Sequence, residues 1–473
     1  MDYTAKFKEM QVKSNPAYPH NDIGIASLFY DLHKGFIRYV VEAKTWYMFD
    51  GRRWDKDDGG FKVMELCKKF AQSFAIYAEN MDDGSDEGKY LKYAAGFTGR
   101  KKREGLLSDA RSIQPMSLAQ FDRDKTLINC INGTYRLSDM KLHPHNPTDY
   151  ITKMARVKYV EGAACKRWEQ FISEIMCNDA DTAQFLQKSL GYCLTGETWL
   201  ECFFILYGKS TRNGKSTLTE TVGNILMDYT RTAQPQTLSR RPSSGSAASP
   251  DIARLKGARL VNMPEPEKGL ELNIALIKQL TGGDTYTGRF LHENPIEFKP
   301  EFKIFINTNH LPKTADDTVF YSERVKLIPF DRHFSPNEQD TGLKKLFQKS
   351  ENRSGILNWL IEGYRLLKAD GLALTERISA AIEEYRLQTD IFGSFLRECT
   401  VEQDKNRAPV KNLYAAYTSW VKDNGYVPPI SKGDFIEEMK KHYEVKRGNV
   451  GLVSVGLALG SSPNLFAEKS ENE

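Results

Sequence analysis

The chain lacks a long hydrophobic run, a cysteine pairing pattern and a net charge of any size, and each absence removes a class of function. Its first twenty residues, MDYTAKFKEMQVKSNPAYPH, hold no apolar stretch, so a signal peptide is not expected. The most apolar segment, Cys202 to Tyr207, falls far short of the roughly 20 residues that span a bilayer. The seven cysteines (Cys67, Cys130, Cys165, Cys177, Cys193, Cys202 and Cys399) are odd in number, scattered, and never form Cys-x-x-Cys. Neither a disulfide framework nor a zinc ribbon is expected, and a reducing cytoplasm fits best. With 66 Lys+Arg against 62 Asp+Glu the formal net charge is only +4. No strongly basic coat advertises a nucleic-acid partner.

What is present is ample core-forming material. A chain of 473 residues with 40% hydrophobic and 27% charged composition is ordinary for globular proteins. At about 150 residues per domain, three domains are expected. The stretch RYVVEAKTWYMFDGRRW (38–54) reads as a hairpin turning at Asp50-Gly51. Val63, Leu66, Cys67, Phe70, Phe74 and Tyr77 then fall on one helical stripe. The run Arg100-Lys101-Lys102-Arg103 reads as a solvated face. NCINGTYRLSDMKLHPH (129–145) reads as two short strands with turns at Asn132-Gly133 and Ser138-Asp139, followed by a helical pair over 166–194.

From Cys202 the pattern changes. CFFILY (202–207), ARLVNM (258–263), KIFINT (303–308) and VKLIPF (325–330) are short apolar strands separated by helices, as in a mostly parallel, buried sheet. LSRRPSSGSAASPD (238–251) is too polar and small to pack and reads as a mobile loop. Further on, Trp359, Leu360, Tyr364, Leu366 and Leu367 are the expected core of a helical segment. The chain then ends as helix, helix, helix and two-stranded wing, the order of a winged helix-turn-helix. The expected organisation is multidomain α/β. It comprises an N-terminal α+β domain (1–160), a helical collar or linker (161–200), a phosphate-loop ATPase core (201–345), a helical linker (346–390), a winged helix-turn-helix (391–460) and a flexible tail (461–473).

The chemistry concentrates in FFILYGKSTRNGKSTL (203–218). An apolar strand runs into a glycine-bounded loop, and Gly214-Lys215-Ser216-Thr217 opens a helix. Phosphate oxygens need close backbone N–H donors, which glycine permits. In this setting Lys215 reaches the β- and γ-phosphates and the Ser216 hydroxyl ligates Mg²⁺. The usual spacing has four residues between the glycines, whereas Gly208 and Gly214 bracket five. Gly208 and Asn213 complete the candidate ATP-binding set. The strand ARLVNM ends at Pro264-Glu265-Pro266-Glu267, where carboxylates can meet Mg²⁺ and orient a water. KIFINTNHLP (303–312) ends a further strand with Asn309, which can reach the γ-phosphate and the lytic water; Asn307 and Thr308 are substitutes. Arg324 precedes the strand VKLIPF and is suited either to a neighbouring subunit's ATP or to a surface salt bridge.

In this order the motifs resemble superfamily 3 helicases of the phage and plasmid primase-helicase family, which includes the poxvirus primase-helicase. The resembling stretches are LYGKSTRNGKST, IARLKGARLVNMPEPE, IKQLTGGDTYTGRFLHENPIEFKPEFKIFINTNHLP and ERVKLIPF. NGTYRLSDMKLHPHNPTDYITK and FLQKSLGYCLTGET are similar to the domain preceding the motor, and LYAAYTSWVKDNGYVPPISKGDFIEEMKK to the C-terminal winged helix. The resemblance implies an AAA+-like motor that uses ATP and Mg²⁺. Such a motor forms a homo-oligomer, as a hexameric ring, and translocates on single-stranded or forked DNA. It implies Walker A roles for Lys215, Ser216 and Thr217, and an acidic Walker B pair in Glu265 and Glu267, with Glu265 favoured. Asn309 corresponds to sensor 1 and Arg324 to a single arginine finger. A channel-facing hairpin is implied too, with Lys278 before Gly282-Gly283, and Arg289, His292 and Lys299 as DNA-contacting cations. Lys278 and Lys299 also read as solvated surface lysines.

No cysteine cluster exists and Asp179-Ala180-Asp181 begins a helix, so primer synthesis is not expected. The expected setting is a phage, prophage or mobile element in a bacterial host cytoplasm, with a separate primase, polymerase or initiator as partner and no membrane. Two other readings stand beside it: an origin-binding initiator whose ATPase is an assembly switch, and a phosphate-loop ATPase acting on protein or in packaging. Residues 276–303 are themselves balanced, with Lys278, Arg289, Lys299 and Lys303 against Asp284, Glu293, Glu297 and Glu301. Six copies of two or three inward cations would still make a basic channel inside a nearly neutral ring.

Overall fold

The computed structural model describes residues 2–81, 88–240, 250–289, 295–314, 318–424, 429–448 and 451–460. Most of the small polar loop, residues 241–249, lies outside the described residues, as do His292 and the tail from 461.

The N-terminal part packs helices α1 (Tyr3–Glu9), α2 (Asp22–His33), α3 (Phe61–Asn80), α4 (Lys89–Gly96) and α5 (Arg100–Ala110) against an antiparallel sheet. That sheet is β1 (Ile37–Val40), β2 (Thr45–Phe49) and β3 (Trp54–Asp57), with Phe49 opposite Trp54 across the expected Asp50-Gly51 turn. The α3 stripe buries Val63, Cys67, Phe70, Phe74 and Tyr77 as its spacing requires, with Leu66 at the margin. The basic run forms the first turn of α5, where Arg100 pairs with Glu104 and Lys102 lies over the ring of Phe97. A second antiparallel sheet has three strands rather than two: β4 (Leu127–Cys130), β5 (Gly133–Arg136) and β6 (Lys141–His143).

Helices α6 (Lys166–Ile175) and α7 (Ala180–Gly191) lead into five parallel strands. These are β7 (Phe203–Tyr207), β8 (Thr230–Thr232), β9 (Leu260–Met263), β12 (Lys303–Thr308) and β13 (Val325–Pro329), in the order β13-β7-β12-β9-β8. Between them lie α8 (Lys215–Leu226), α9 (Pro250–Ala253), α10 (Ile274–Thr281), the hairpin β10 (Tyr286–Arg289) and β11 (Pro295–Phe298), and α11 (Thr318–Tyr321). Strand side chains alternate between faces, and here both faces are dry. Phe204, Leu206 and Phe305 meet α6, α7, α8 and the helix α13 (Ser350–Asp370) in one core. Phe203, Ile205, Val261 and Ile306 meet Ile252, Ile277, Phe320 and Tyr385 in another. This two-sided burial is why the strands read as continuous apolar runs rather than as alternating ones.

Helix α12 (Leu343–Phe347) precedes α13, and α14 (Glu376–Thr389) follows it. The cores run without a break through these segments: Leu360, Tyr364 and Ile378 belong to the same cluster as α6 and α7. Helices α7 and α13 cross so closely that a Cβ on Gly191 would lie 2.3 Å from the Tyr364 nitrogen, and one on Gly363 would lie 2.2 Å from the Gln187 oxygen. The last unit has its own core around Phe395, Leu413, Tyr417 and Phe435. It comprises α15 (Ile391–Cys399), β14 (Thr400–Pro409), α16 (Val410–Asp423), α17 (Lys432–His442), β15 (Val445–Gly448) and β16 (Gly451–Leu459). Its sheet order is β14-β16-β15, so a third strand joins the expected hairpin.

Candidate active site

Strand β12 lies between β7 and β9, so the segments leaving these three strands converge at the carboxyl edge of the sheet, where open α/β sheets gather their ligands. The loop after β7 opens at Gly208. A Cβ there would stand 2.3 Å from Asn213 Nδ2 and 2.6 Å from the Phe330 oxygen, so only glycine fits. The Gly208 N–H donates to the Thr308 oxygen at 3.2 Å, which holds the loop against β12. Buried Asn213 donates through Nδ2 to the Ser210 oxygen at 2.6 Å and closes the loop on itself.

Gly214 turns the chain into α8 with φ +86, and a Cβ on it would meet Ile175 Cγ2 at 2.5 Å. The amides of Lys215, Ser216 and Thr217 form the first turn of α8 and have no acceptor within the helix. Ser216 is exposed beside them and Thr217 is half-buried. The extra residue between the glycines is taken up by Arg212, whose φ of 57 is left-handed. Its oxygen accepts the Phe334 N–H at 2.9 Å, and the Thr211 oxygen accepts from His333 Nδ1 at 2.8 Å. These braces come from the segment after β13, and no sequence pattern announced them.

Lys215 is buried, with 6% of its surface exposed, and its ammonium donates to Asn309 Oδ1 at 2.7 Å. The Asn309 N–H in turn donates to Glu265 Oε1 at 3.2 Å. Burial pushes the Lys215 pKa down to about 8, and the nearby Glu265 charge pulls it partly back. Lys215, Asn309 and Glu265 are therefore one hydrogen-bonded chain spanning the ends of β7, β12 and β9. Glu267 is exposed and, among the described residues, forms no side-chain hydrogen bond or ion pair with them. Asn307 is committed elsewhere, donating through Nδ2 to Asn262 Oδ1 and to the Met263 oxygen. The Thr308 hydroxyl accepts from the His310 N–H at 3.0 Å.

Arg324 lies at the other end of the sheet. Val325 pairs with Phe203, so Arg324 sits level with Cys202, just before β7 and about 20 Å along the strands from Gly208 at about 3.3 Å per residue. Its Nη2 contacts Glu201 Oε2 at 2.7 Å and its Nη1 donates to Thr281 Oγ1 at 3.0 Å. Lys278 sits in α10 rather than on the hairpin, and its ammonium donates to Thr318 Oγ1 at 2.5 Å. Arg289 is exposed at the end of β10, opposite Pro295, and exposed Lys299 follows β11 at the base of the same hairpin. Lys303 is fully buried at the start of β12, donating to the Glu197 oxygen at 3.1 Å over the Tyr192 ring. It belongs to the core rather than to any basic surface.

Residues 26–177 match the family described as D5 N terminal like, and residues 388–455 match the family described as Poxvirus D5 protein-like. Both flanking parts of the chain are thus similar to D5-like proteins. Residues 206–324, between them, match a family of unknown function. A provisionally named helicase of Acanthamoeba polyphaga mimivirus is 28% identical over 439 residues, covering 85% of this chain and 45% of the relative. Another, from Invertebrate iridescent virus 3, is 22% identical over 90% of this chain and 52% of its own length. The chain thus spans about half the length of the curated relatives it matches. The solved apo structure of the NrS-1 C terminal region is similar with a TM-score of 0.49 at 10% identity, covering 92% of this chain and 99% of that one. No helix among the described residues is long and apolar enough to cross a membrane.

Proposed function

We propose that this chain is the ATP-driven motor of a ring-forming DNA helicase, translocating on single-stranded DNA during replication of a virus, phage or mobile element. The observation that carries the reading is the hydrogen-bonded chain Lys215–Asn309–Glu265 set over a glycine-bounded loop. The residues fit MgATP. The close packing that only glycine allows at Gly208, which brings the loop beside the Lys215 ammonium, and the amides of the first turn of α8, which lack acceptors within the helix, suit phosphate oxygens. A buried ammonium with a depressed pKa lacks a full counter-charge, and an exposed hydroxyl at Ser216 is available to a metal.

When bound, Mg²⁺ would neutralise phosphate charge, with Ser216 and Glu265 as its holders. The protein's own part is positional. Backbone N–H groups of the loop and α8 orient the phosphates, and Lys215 leaves Asn309 for the β- and γ-oxygens. Asn309, so released, and Glu265 hold the attacking water, with Glu265 placed to receive its proton. Glu267 keeps no role in this scheme. The hairpin cations Arg289 and Lys299 would grip the DNA backbone, and their contribution falls with salt.

Origin reading by the C-terminal unit has less support. In a winged-helix reading α17 would enter the groove, yet Lys440 pairs with Glu437 at 2.8 Å and Lys441 with Glu438 at 2.5 Å on the same helix.

The test is ATP hydrolysis and displacement of a forked duplex by the full chain. Stimulation of hydrolysis by a single-stranded oligonucleotide together with strand displacement is expected. Hydrolysis indifferent to DNA would overturn the reading.

A pH dependence follows from Lys215. Its folded pKa is about 8 without a polyanion, and a triphosphate beside it would raise that value. Binding then takes up a proton above pH 8 and not below. ATP affinity is expected to be flat in pH below about 8 and to fall by up to about tenfold per unit above it. Titration calorimetry at pH 8.5 to 9 in two buffers of different ionisation heat reads the proton directly, and equal apparent heats would contradict the assignment.

A further inference from the structure

Arg324 is bound on both sides at the foot of the sheet. Its Nη2 meets Glu201 Oε2 at 2.7 Å, and its Nη1 donates to Thr281 Oγ1 at 3.0 Å and to the Glu201 oxygen at 3.2 Å. Only 18% of the side chain is exposed. Thr281 is the last residue of α10, and the chain passes from it through Gly282 and Gly283 into β10. One turn earlier, Lys278 of the same helix donates to Thr318 at the start of α11. The segment 318–324 is thus stapled to α10 at two points a helical turn apart. Glu201 stands two residues before Phe203, whose N–H donates to the Arg324 oxygen at 2.9 Å; its own N–H donates to the Thr198 oxygen at 3.1 Å, and it holds a left-handed φ of 46 while its carboxylate faces Arg324.

We infer that Glu201 and Thr281 are positioning residues that make Arg324 the link between a neighbouring subunit's nucleotide and the root of this subunit's hairpin. The inference rests on the proposed ring motor, in which Arg324 acts on the neighbour's ATP. A guanidinium with 18% exposure cannot reach another subunit's phosphate while all three contacts persist. Turning outward breaks the bond to Thr281, and that bond anchors the end of α10 from which the hairpin bearing Arg289 springs. When the neighbour's phosphate leaves, Glu201 and Thr281 recapture the guanidinium and α10 returns. The hairpin therefore follows the nucleotide state of the next site rather than of its own, whose loop lies at the opposite end of β7.

The full chain is compared as wild type, Thr281→Val, Thr281→Ser, Glu201→Gln and Arg324→Ala. ATP hydrolysis without DNA and duplex displaced per ATP hydrolysed are measured for each. Thr281→Val and Glu201→Gln are expected to hydrolyse within about twofold of wild type while displacement per ATP falls about fivefold, in the range for single residues on a coupling route. Thr281→Ser, which keeps the hydroxyl, is expected to retain both. Displacement per ATP equal to wild type in Thr281→Val and Glu201→Gln overturns the inference, and so does a parallel fall of both measures in Thr281→Val and Thr281→Ser alike. If Thr281→Val does not fold, Glu201→Gln decides, because its side chain is 51% exposed and contributes to no core. Wild-type hydrolysis in Arg324→Ala would instead refute the trans role of Arg324, independently of the displacement ratio.

Discussion

Lys215→Ala is expected to lower ATP hydrolysis by about 10²–10³-fold, the range known for removing one preorganised donor that stabilises developing charge in a transition state. The structure makes the lysine difficult to replace. Its ammonium sits 3.2 Å from the position of a Cβ on Gly208 and 2.7 Å from Asn309 Oδ1, so a longer, planar guanidinium would have to displace both neighbours. Lys215→Arg is therefore expected to be nearly as inactive as Lys215→Ala. Folding should be spared. A buried ammonium held below its ordinary pKa by desolvation is a cost to the empty protein, so the alanine variant should melt at or slightly above the wild-type temperature without nucleotide. The difference appears on adding ATP. Ligand at about a hundred times Kd stabilises the wild type by about 2.7 kcal/mol, and the variant should show a much smaller upward shift. Steady-state hydrolysis and thermal melting with and without MgATP check both halves. Retained hydrolysis with a full ATP-induced shift would remove Lys215 from the site.

Much of the parallel sheet was legible because its strands are short apolar runs that two dry faces enforce. The edges were not. Strand β8 is Thr-Arg-Thr, three polar residues paired on one side only, and a single ladder needs no apolar signature. Strand β14, Thr400–Pro409, carries Glu402, Asp404, Lys405 and Arg407 in place of an apolar run, and its register shifts between Glu402 and Arg407.

Within the candidate site, spacing pointed to the segments but could not tell which of their side chains are hydrogen-bonded together. Asn307 and Asn309 have the same parity along β12, so alternation cannot separate them. Asn307 lies inside the ladder, where Asn262 of β9 claims its amide, whereas Asn309 stands one residue past the last pair, Thr308 with Tyr207. Glu265 and Glu267 differ in the same way, through a backbone N–H that only the fold supplies. The partners of Arg324, at positions 201 and 281, are too distant in the chain for any local pattern to connect them. The one available clue was register: if VKLIPF runs parallel beside FFILY, the residues just before the two strands must meet.

Arg324→Ala should be as damaging as Lys215→Ala, but for a different reason and with a different signature. An arginine supplied to the developing charge on a transferring phosphoryl group is worth about 10³–10⁵ in rate. Because Arg324 stands at the far end of the sheet from its own loop, its loss should leave ATP affinity and the ATP-induced thermal shift of that subunit intact. The two variants are then complementary. A Lys215→Ala subunit has a dead site and a sound finger, and an Arg324→Ala subunit has a sound site and no finger. In a head-to-tail ring each site meets the finger of one neighbour, so random mixing of equal amounts creates intact junctions at about a quarter of the interfaces. Hydrolysis is expected to rise from near zero for either variant alone towards about a quarter of wild type in the mixture. The rise should appear only when subunits can exchange before ATP is added. Mixtures as inactive as their components would mean that Arg324 serves its own subunit or none, leaving the ion pair with Glu201 as its whole role.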